Sequence, residues 1–136
     1  MMNPMNPCAA AVPLTEAIRV LIADDEPLFV EMVQAILVSE DGIEVVATAC
    51  DGKDAVRLAA ELDPDVVVMD ISMPVMNGID ATREIRGNDS AARILILTGG
   101  ANSTEIDDAR LAGADVFLTK DRIEELTGEI FHLGGR

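Results

Sequence analysis

Five polar side chains stand where apolar runs of the sequence end, and together they could support phosphoryl transfer. Asp24 and Asp25 follow RVLIA, Asp70 follows DVVVM, Thr98 ends RILILT and Lys120 follows DVFLT. Three carboxylates and one ammonium sum to a charge of −2. One Mg²⁺ would neutralise that charge, and Mg²⁺ is usually held by one or two carboxylates with waters and phosphate oxygens. The set predicts a site for a divalent cation and a phosphoryl group.

The apolar runs themselves predict the elements that would bring these residues together. Five apolar runs alternate with amphipathic stretches, which is typical of successive βα units. The runs are RVLIA, IEVVATA, DVVVM, RILIL and DVFLT. Continuous apolar runs rich in valine and isoleucine are typical of parallel strands buried on both faces. Right-handed helical crossovers then give a three-layer α/β/α domain, whose strands all end at the edge where open α/β sheets bind ligands.

Helices are predicted between the strands from apolar spacing and end signals. The first begins near Pro27, since proline suits the first helical position, and its apolar stripe is predicted to pack on the sheet. The fourth begins at a capping box of Asn102 and Glu105 and ends at Gly113. The stripe of the first helix comprises Leu28, Phe29, Met32, Val33, Ile36 and Leu37; the other helices are predicted from Lys53 to Leu62, after Gly78, and from Arg122 to Leu133.

Each candidate site residue also has a structural explanation. Asp25 or Glu26 could favour a helix start, Asp70 could form a turn, Thr98 could be an ordinary strand residue and Lys120 could be a solvated strand end. For the structural explanations to be sufficient, all of them would have to apply independently to residues at the same edge of the sheet. The functional interpretation is therefore favoured.

Composition excludes several classes of function. Ten Lys and Arg against twenty-five Asp and Glu give a net charge of −15, so direct binding of this chain to nucleic acid or to an anionic membrane is disfavoured. No run approaches the roughly eighteen apolar residues of a membrane span. Cys8 and Cys50 lack zinc-site spacing and are interpreted as free thiols in a reducing cytoplasm. Residues 1–17, with three prolines, are predicted to be a disordered leader to one domain over residues 18–136.

Four spaced motifs resemble one known family. The motifs are LIADDEP, VVVMDISMPVMNG, LILTGG and AGADVFLTKD. They are similar to motifs of the receiver domain of bacterial two-component response regulators, which has the fold of the chemotaxis regulator. The resemblance runs from about Arg19 to Leu133. It implies a flavodoxin-like sheet of five parallel strands in the order 2-1-3-4-5, with five helices.

The resemblance also implies a role for each site residue. Asp70 would accept a phosphoryl group from a sensor histidine kinase, a phosphotransfer protein or a small phosphodonor. Asp24 and Asp25 would bind Mg²⁺, directly or through water, with Asp70 and the backbone carbonyl of Ser72. Lys120 would pair with the phosphoryl oxygens. The only chemistry implied is self-phosphorylation from a phosphodonor and slow self-dephosphorylation, not an enzymatic activity on another substrate.

A switch is implied as well. Thr98 would move to hydrogen-bond the phosphoryl group, and the rotamer of Phe117 would follow that movement. Gly99 and Gly100 depart from the family pattern, which usually has alanine and a larger residue there, and this leaves the stiffness of the loop open. Phosphorylation is expected to remodel the face of the fourth helix, fifth strand and fifth helix, which could form a homodimer.

The output stays open between two interpretations. Asp121 after Lys120 and the ending GEIFHLGGR resemble the subfamily with a LuxR-type helix-turn-helix, which would follow Arg136 and make the full-length protein a transcription regulator. A stand-alone receiver that binds a partner is the alternative. An aspartate-nucleophile phosphatase fits poorly because Ser72 stands where a second aspartate is needed, and a flavodoxin-like electron carrier fits poorly because the chain has no Trp or Tyr.

Overall fold

A computed structural model describes residues 17–135, in which five strands alternate with five α-helices. Residues 1–16, for which the sequence predicts most of a leader and which include Cys8, lie outside the described range. The elements are β1 Ile18–Ala23, α1 Pro27–Val38, β2 Ile43–Ala49, α2 Gly52–Leu62, β3 Val66–Met69, α3 Gly78–Gly87, β4 Arg93–Thr98, α4 Ser103–Ala112, β5 Val116–Thr119, a 3₁₀ helix Lys120–Glu125 and α5 Leu126–Gly134.

The five strands form one parallel sheet in the order β2-β1-β3-β4-β5. This confirms the predicted flavodoxin-like order 2-1-3-4-5. The chain passes from β1 outward to β2 and then returns across β1 to β3, so the order reverses beside β1 and β3. Ligand sites of open α/β sheets lie at such a reversal, beyond the carboxyl ends of the strands.

Side chains of each strand alternate between two apolar layers. In β3, Val66 and Val68 pack with α1 and α5, whereas Val67 and Met69 pack with α2, α3 and α4. All four are at most 3% exposed, which explains why the run is continuously apolar. The predicted three-layer architecture is confirmed.

The stripe predicted for α1 is partly wrong. Val33 and Leu37 are fully buried against the sheet, but Leu28 is 82% and Met32 is 42% exposed. Successive helical residues are about 100° apart, so Leu28 lies about 140° from Val33 around the helix and cannot share its contact face. The apolar set of this helix is wider than the surface that the sheet can cover.

The other helices depart from prediction only at their ends. The capping box of Asn102 and Glu105 and the left-handed Gly113 are present in α4. The last helix does not begin at Arg122 as predicted, because Arg122 has non-helical torsion angles (φ −112°, ψ 34°) and the chain leaves β5 through a 3₁₀ helix instead. Within residues 17–135, no helix has the length and apolar character needed to span a bilayer.

Candidate functional site

The polar residues predicted to converge line one open cavity of about 360 Å³ at the carboxyl ends of β1, β3, β4 and β5. Asp24 lies beside this cavity, with a carboxylate oxygen 2.9 Å from Lys120 Nζ. Thr98 is buried at the end of β4 with only 2% exposure. The residues that line the cavity are Asp25, Glu26, Asp70, Ser72, Thr98, Gly99, Gly100 and Lys120.

Asp24 and Asp25 are neighbours in different environments. Asp24 is 4% exposed, and its Oδ1 accepts the Glu26 N–H at 2.9 Å. Burial raises the pKa of Asp24 above its usual value and the charge of Asp70 adds to this, while hydrogen bonds from the Glu26 amide and Lys120 oppose it. Asp25 is exposed to the cavity. The pair therefore combines one buried carboxylate with one that a ligand can reach.

Three carboxylates form a cluster with the composition of a cation site. One oxygen from each of Asp24, Asp25 and Asp70 lies within 4.8 Å of the others. Mg²⁺ prefers hard oxygen donors and usually keeps several waters, which an open cavity permits. The donor set fits Mg²⁺. Ser72, whose backbone carbonyl is the further ligand that the family resemblance implies, also lines the cavity.

Asp70 is fixed in orientation at the end of β3. It is 6% exposed, and its Oδ1 accepts the Ile71 N–H at 2.8 Å. The loop that follows is closed by Gly78, whose N–H donates to the Ile71 carbonyl at 2.8 Å. A Cβ on Gly78 would lie 1.9 Å from the Asp70 carbonyl oxygen, so only glycine fits there. This close approach holds the loop with Ser72 at the cavity.

Lys120 joins the acidic residues from three segments of the chain. Its Nζ lies 2.6 Å from Glu26 Oε1, 2.9 Å from Asp24 Oδ2 and 3.3 Å from Asp70 Oδ2. The same nitrogen lies 4.1 Å from the centroid of the Phe29 ring, a cation–π contact. Burial alone would lower the pKa of Lys120, but hydrogen bonds to Glu26 and Asp24 and the charge of Asp70 raise it well above its usual value. Lys120 is a fixed cation at neutral pH.

The two residues of the expected switch lie on the side of the sheet that carries α4. Thr98 opens onto the loop of Gly99 and Gly100, where a Cβ on either glycine would meet nothing closer than 4.0 Å. Phe117 is half-buried and borders a cavity of about 80 Å³ together with Ile106 of α4. Neither glycine has a left-handed backbone, so neither is required by the conformation seen here.

Sequence reasoning missed two contributors to the site. Glu26 was considered only as a residue favouring a helix start, and Phe29 only as part of the apolar stripe of α1. The position of Glu26 directly after the acidic pair was the available signal for its role. Nothing local marked Phe29, because its contact is with a residue 91 positions later in the chain.

Comparison with known proteins gives the class that the fold and the site suggest. Residues 20–131 match the response regulator receiver domain family. This range covers all five strands apart from the first two residues of β1, and it includes all of the cavity residues. The chain belongs to the receiver domain family.

Individual relatives carry different outputs. The chain is 37% identical over 125 residues to the nitrate/nitrite response regulator protein NarP of Escherichia coli, covering 92% of this chain and 58% of that protein. It is 46% identical over 107 residues to a protein-glutamate methylesterase/protein-glutamine glutaminase of Vibrio cholerae, covering 76% of this chain and 28% of that protein. The chain thus spans less than two thirds of the length of each of these relatives.

A solved structure of a response regulator is also similar to this chain. A two-component response regulator of the LuxR family from Aurantimonas is 41% identical, with a TM-score of 0.82. The alignment covers 88% of this chain and 87% of that one. The similarity extends over nearly all of the described fold.

Proposed function

We propose that this chain is a phosphorelay receiver that accepts a phosphoryl group on Asp70 in a Mg²⁺-dependent reaction. The observation that carries the proposal is the convergence of Lys120 Nζ, Asp24 and Asp70 within 3.3 Å beside an accessible carboxylate, Asp25. The phosphodonor would be a sensor histidine kinase, a phosphotransfer protein or a small phosphodonor. A cytoplasmic location and a single domain over residues 18–136 stay predictions.

The chemistry assigned to each residue follows from charge. An Asp70 carboxylate oxygen forms the new O–P bond as the P–N bond of a phosphohistidine breaks, and the electron pair leaves with the imidazole nitrogen, which takes a proton. The product is an acyl phosphate. Lys120 would neutralise charge on the phosphoryl oxygens, and Mg²⁺ held by Asp24, Asp25, Asp70 and the Ser72 carbonyl would supply further positive charge.

Thr98 and Phe117 are proposed to convert this modification into an output. Phosphorylation changes the local charge by about −1, and a phosphoryl oxygen would accept a hydrogen bond from the Thr98 hydroxyl. Movement of Thr98 would allow Phe117 to shift beside α4. The affected face of α4, β5 and α5 includes the small cavity that Phe117 borders together with Ile106. We propose that this face binds a second copy or a partner.

Transcriptional regulation through a further domain is the favoured output, because Asp121 and the ending GEIFHLGGR resemble the LuxR-type subfamily and the chain is 41% identical to a solved response regulator of the LuxR family. A stand-alone receiver that acts by protein binding is the second candidate, and it needs no further domain. In either case the chain would not be an enzyme towards other substrates. Self-phosphorylation and slow self-dephosphorylation would be its only reactions.

Intact-mass spectrometry after incubation with acetyl phosphate and Mg²⁺ tests the proposal. The native chain should gain one phosphoryl group, and EDTA should prevent this. Asp70→Asn should not be labelled, whereas Asp80→Asn, which changes an exposed aspartate of α3, should be labelled as the native chain is. Undiminished labelling of Asp70→Asn would reject the assignment.

A further inference from the structure

Every hydrogen of the Lys120 ammonium has a carboxylate to bond in this structure. An ammonium has three donors and no acceptor. Its three partners are Glu26 at 2.6 Å, Asp24 at 2.9 Å and Asp70 at 3.3 Å. A phosphoryl group on Asp70 takes the place of the Asp70 contact and brings about one more negative charge, so it competes with Glu26 and Asp24 for the ammonium.

Burial decides which of these two carboxylates gives way. The Asp24 side chain is 4% exposed, so losing Lys120 would leave a buried charge without its partner. The Glu26 side chain is 63% exposed and can be rehydrated at once. Glu26 is therefore the partner that is released most easily.

The position of Glu26 in the chain is not explained by helix capping. It is the N-cap residue of α1, but its side chain makes no capping hydrogen bond. Its backbone is fixed on both sides, since its N–H donates to Asp24 Oδ1 and its carbonyl accepts the Val30 N–H. The carboxylate is thus directed at Lys120, 94 residues away in sequence.

We propose that Glu26 is a positioning residue that holds Lys120 in the unphosphorylated receiver and is displaced from it by the phosphoryl group on Asp70. The shorter contact to Glu26 keeps the ammonium farther from Asp70, whose carboxylate stays available as the nucleophile. Breaking the ion pair between Glu26 and Lys120 costs free energy, and this cost opposes phosphorylation. Removing its charge should therefore strengthen binding of a phosphoryl group. The inference rests on the proposed function of Asp70 and Lys120.

Beryllium fluoride, a tetrahedral mimic of a phosphoryl group on a carboxylate, is the probe. Its dissociation constant is measured by calorimetry at saturating Mg²⁺ for the native chain, Glu26→Gln and Glu26→Ala. Exposed ion pairs contribute little, so both variants should bind about two- to fivefold more tightly than the native chain. In a crystal structure of the native complex, Glu26 should lie more than about 4 Å from Lys120 Nζ, beyond ion-pair distance.

Glu31→Gln is the matched control, because Glu31 is exposed on the same helix and borders a cavity with Asp24 and Asp25. Equal tightening in this control would show an effect of overall charge alone and overturn the inference. Unchanged beryllium fluoride affinity in both Glu26 variants would also overturn the inference. A loss of Mg²⁺ affinity that occurs in these variants alone would do the same. No binding to the native chain, or binding retained in Asp70→Asn, would instead reject the proposed function.

Discussion

Replacing Arg86 with methionine should destabilise the fold far more than the same change at Arg83 on the same helix. Arg86 projects from the end of α3 and donates hydrogen bonds to the carbonyls of Gly113 at 3.0 Å and Ser90 at 3.3 Å, and to that of Ala92. It also pairs with Asp115 at 2.7 Å. One guanidinium therefore ties α3 to the start of β4 and to the end of α4.

The magnitude follows from these contacts. Three hydrogen bonds to carbonyls are each worth about 1 kcal/mol net, and methionine would leave those acceptors without their donor. The ion pair adds little, since both of its side chains are 26% exposed. We expect Arg86→Met to lower the free energy of unfolding by about 3 kcal/mol and the Tm by about 10 °C. Arg83 is 59% exposed and, within residues 17–135, pairs only with Asp80, so Arg83→Met should cost about 0.5 kcal/mol or less.

Urea unfolding followed by circular dichroism at 25 °C measures both variants. The two substitutions remove the same charge and add the same side chain, so their difference isolates the contacts of Arg86. These contacts lie at the opposite edge of the sheet from Asp70, and beryllium fluoride binding should survive in the folded variant. If Arg86→Met costs no more than Arg83→Met, the reasoning from contacts to stability is refuted.

Three further predictions concern the site itself. Asp25→Ala should weaken Mg²⁺ binding by about tenfold or more, because the cluster loses its accessible oxygen donor; a calorimetric titration unchanged by the substitution would count against this. Because burial raises the pKa of Asp24, its contribution to stability is fully present below its unfolded pKa near 3.8 and is lost as pH rises through the raised folded value. In EDTA, Asp24→Asn should therefore gain in stability relative to the native chain as pH rises above 4, and a difference independent of pH would contradict the sign. Thr98→Ala should leave labelling of Asp70 largely intact but reduce the phosphorylation-dependent change in self-association, measured by light scattering; a full response would show that the switch uses another route.

The sequence alone was sufficient for the strands and for the edge at which the site lies. Apolar runs with a polar residue at their end are local patterns, and the parallel geometry of βα units brings such ends to one edge of a sheet. These local patterns therefore suffice to place the five site residues at one edge: Asp24, Asp25, Asp70, Thr98 and Lys120. The strand order 2-1-3-4-5 did not follow from these patterns and needed the family resemblance.

Only the tertiary structure decided which neighbours each side chain has. Leu28 and Met32 belong to the apolar pattern of α1, yet the sheet does not reach around the helix to cover them. The contacts of Lys120 with Glu26 and Phe29 join positions more than 90 residues apart. Sequence periodicity describes the direction of a side chain within its own element. Which element lies in that direction, and how far a side chain must reach to meet it, is set by packing between elements distant in the chain.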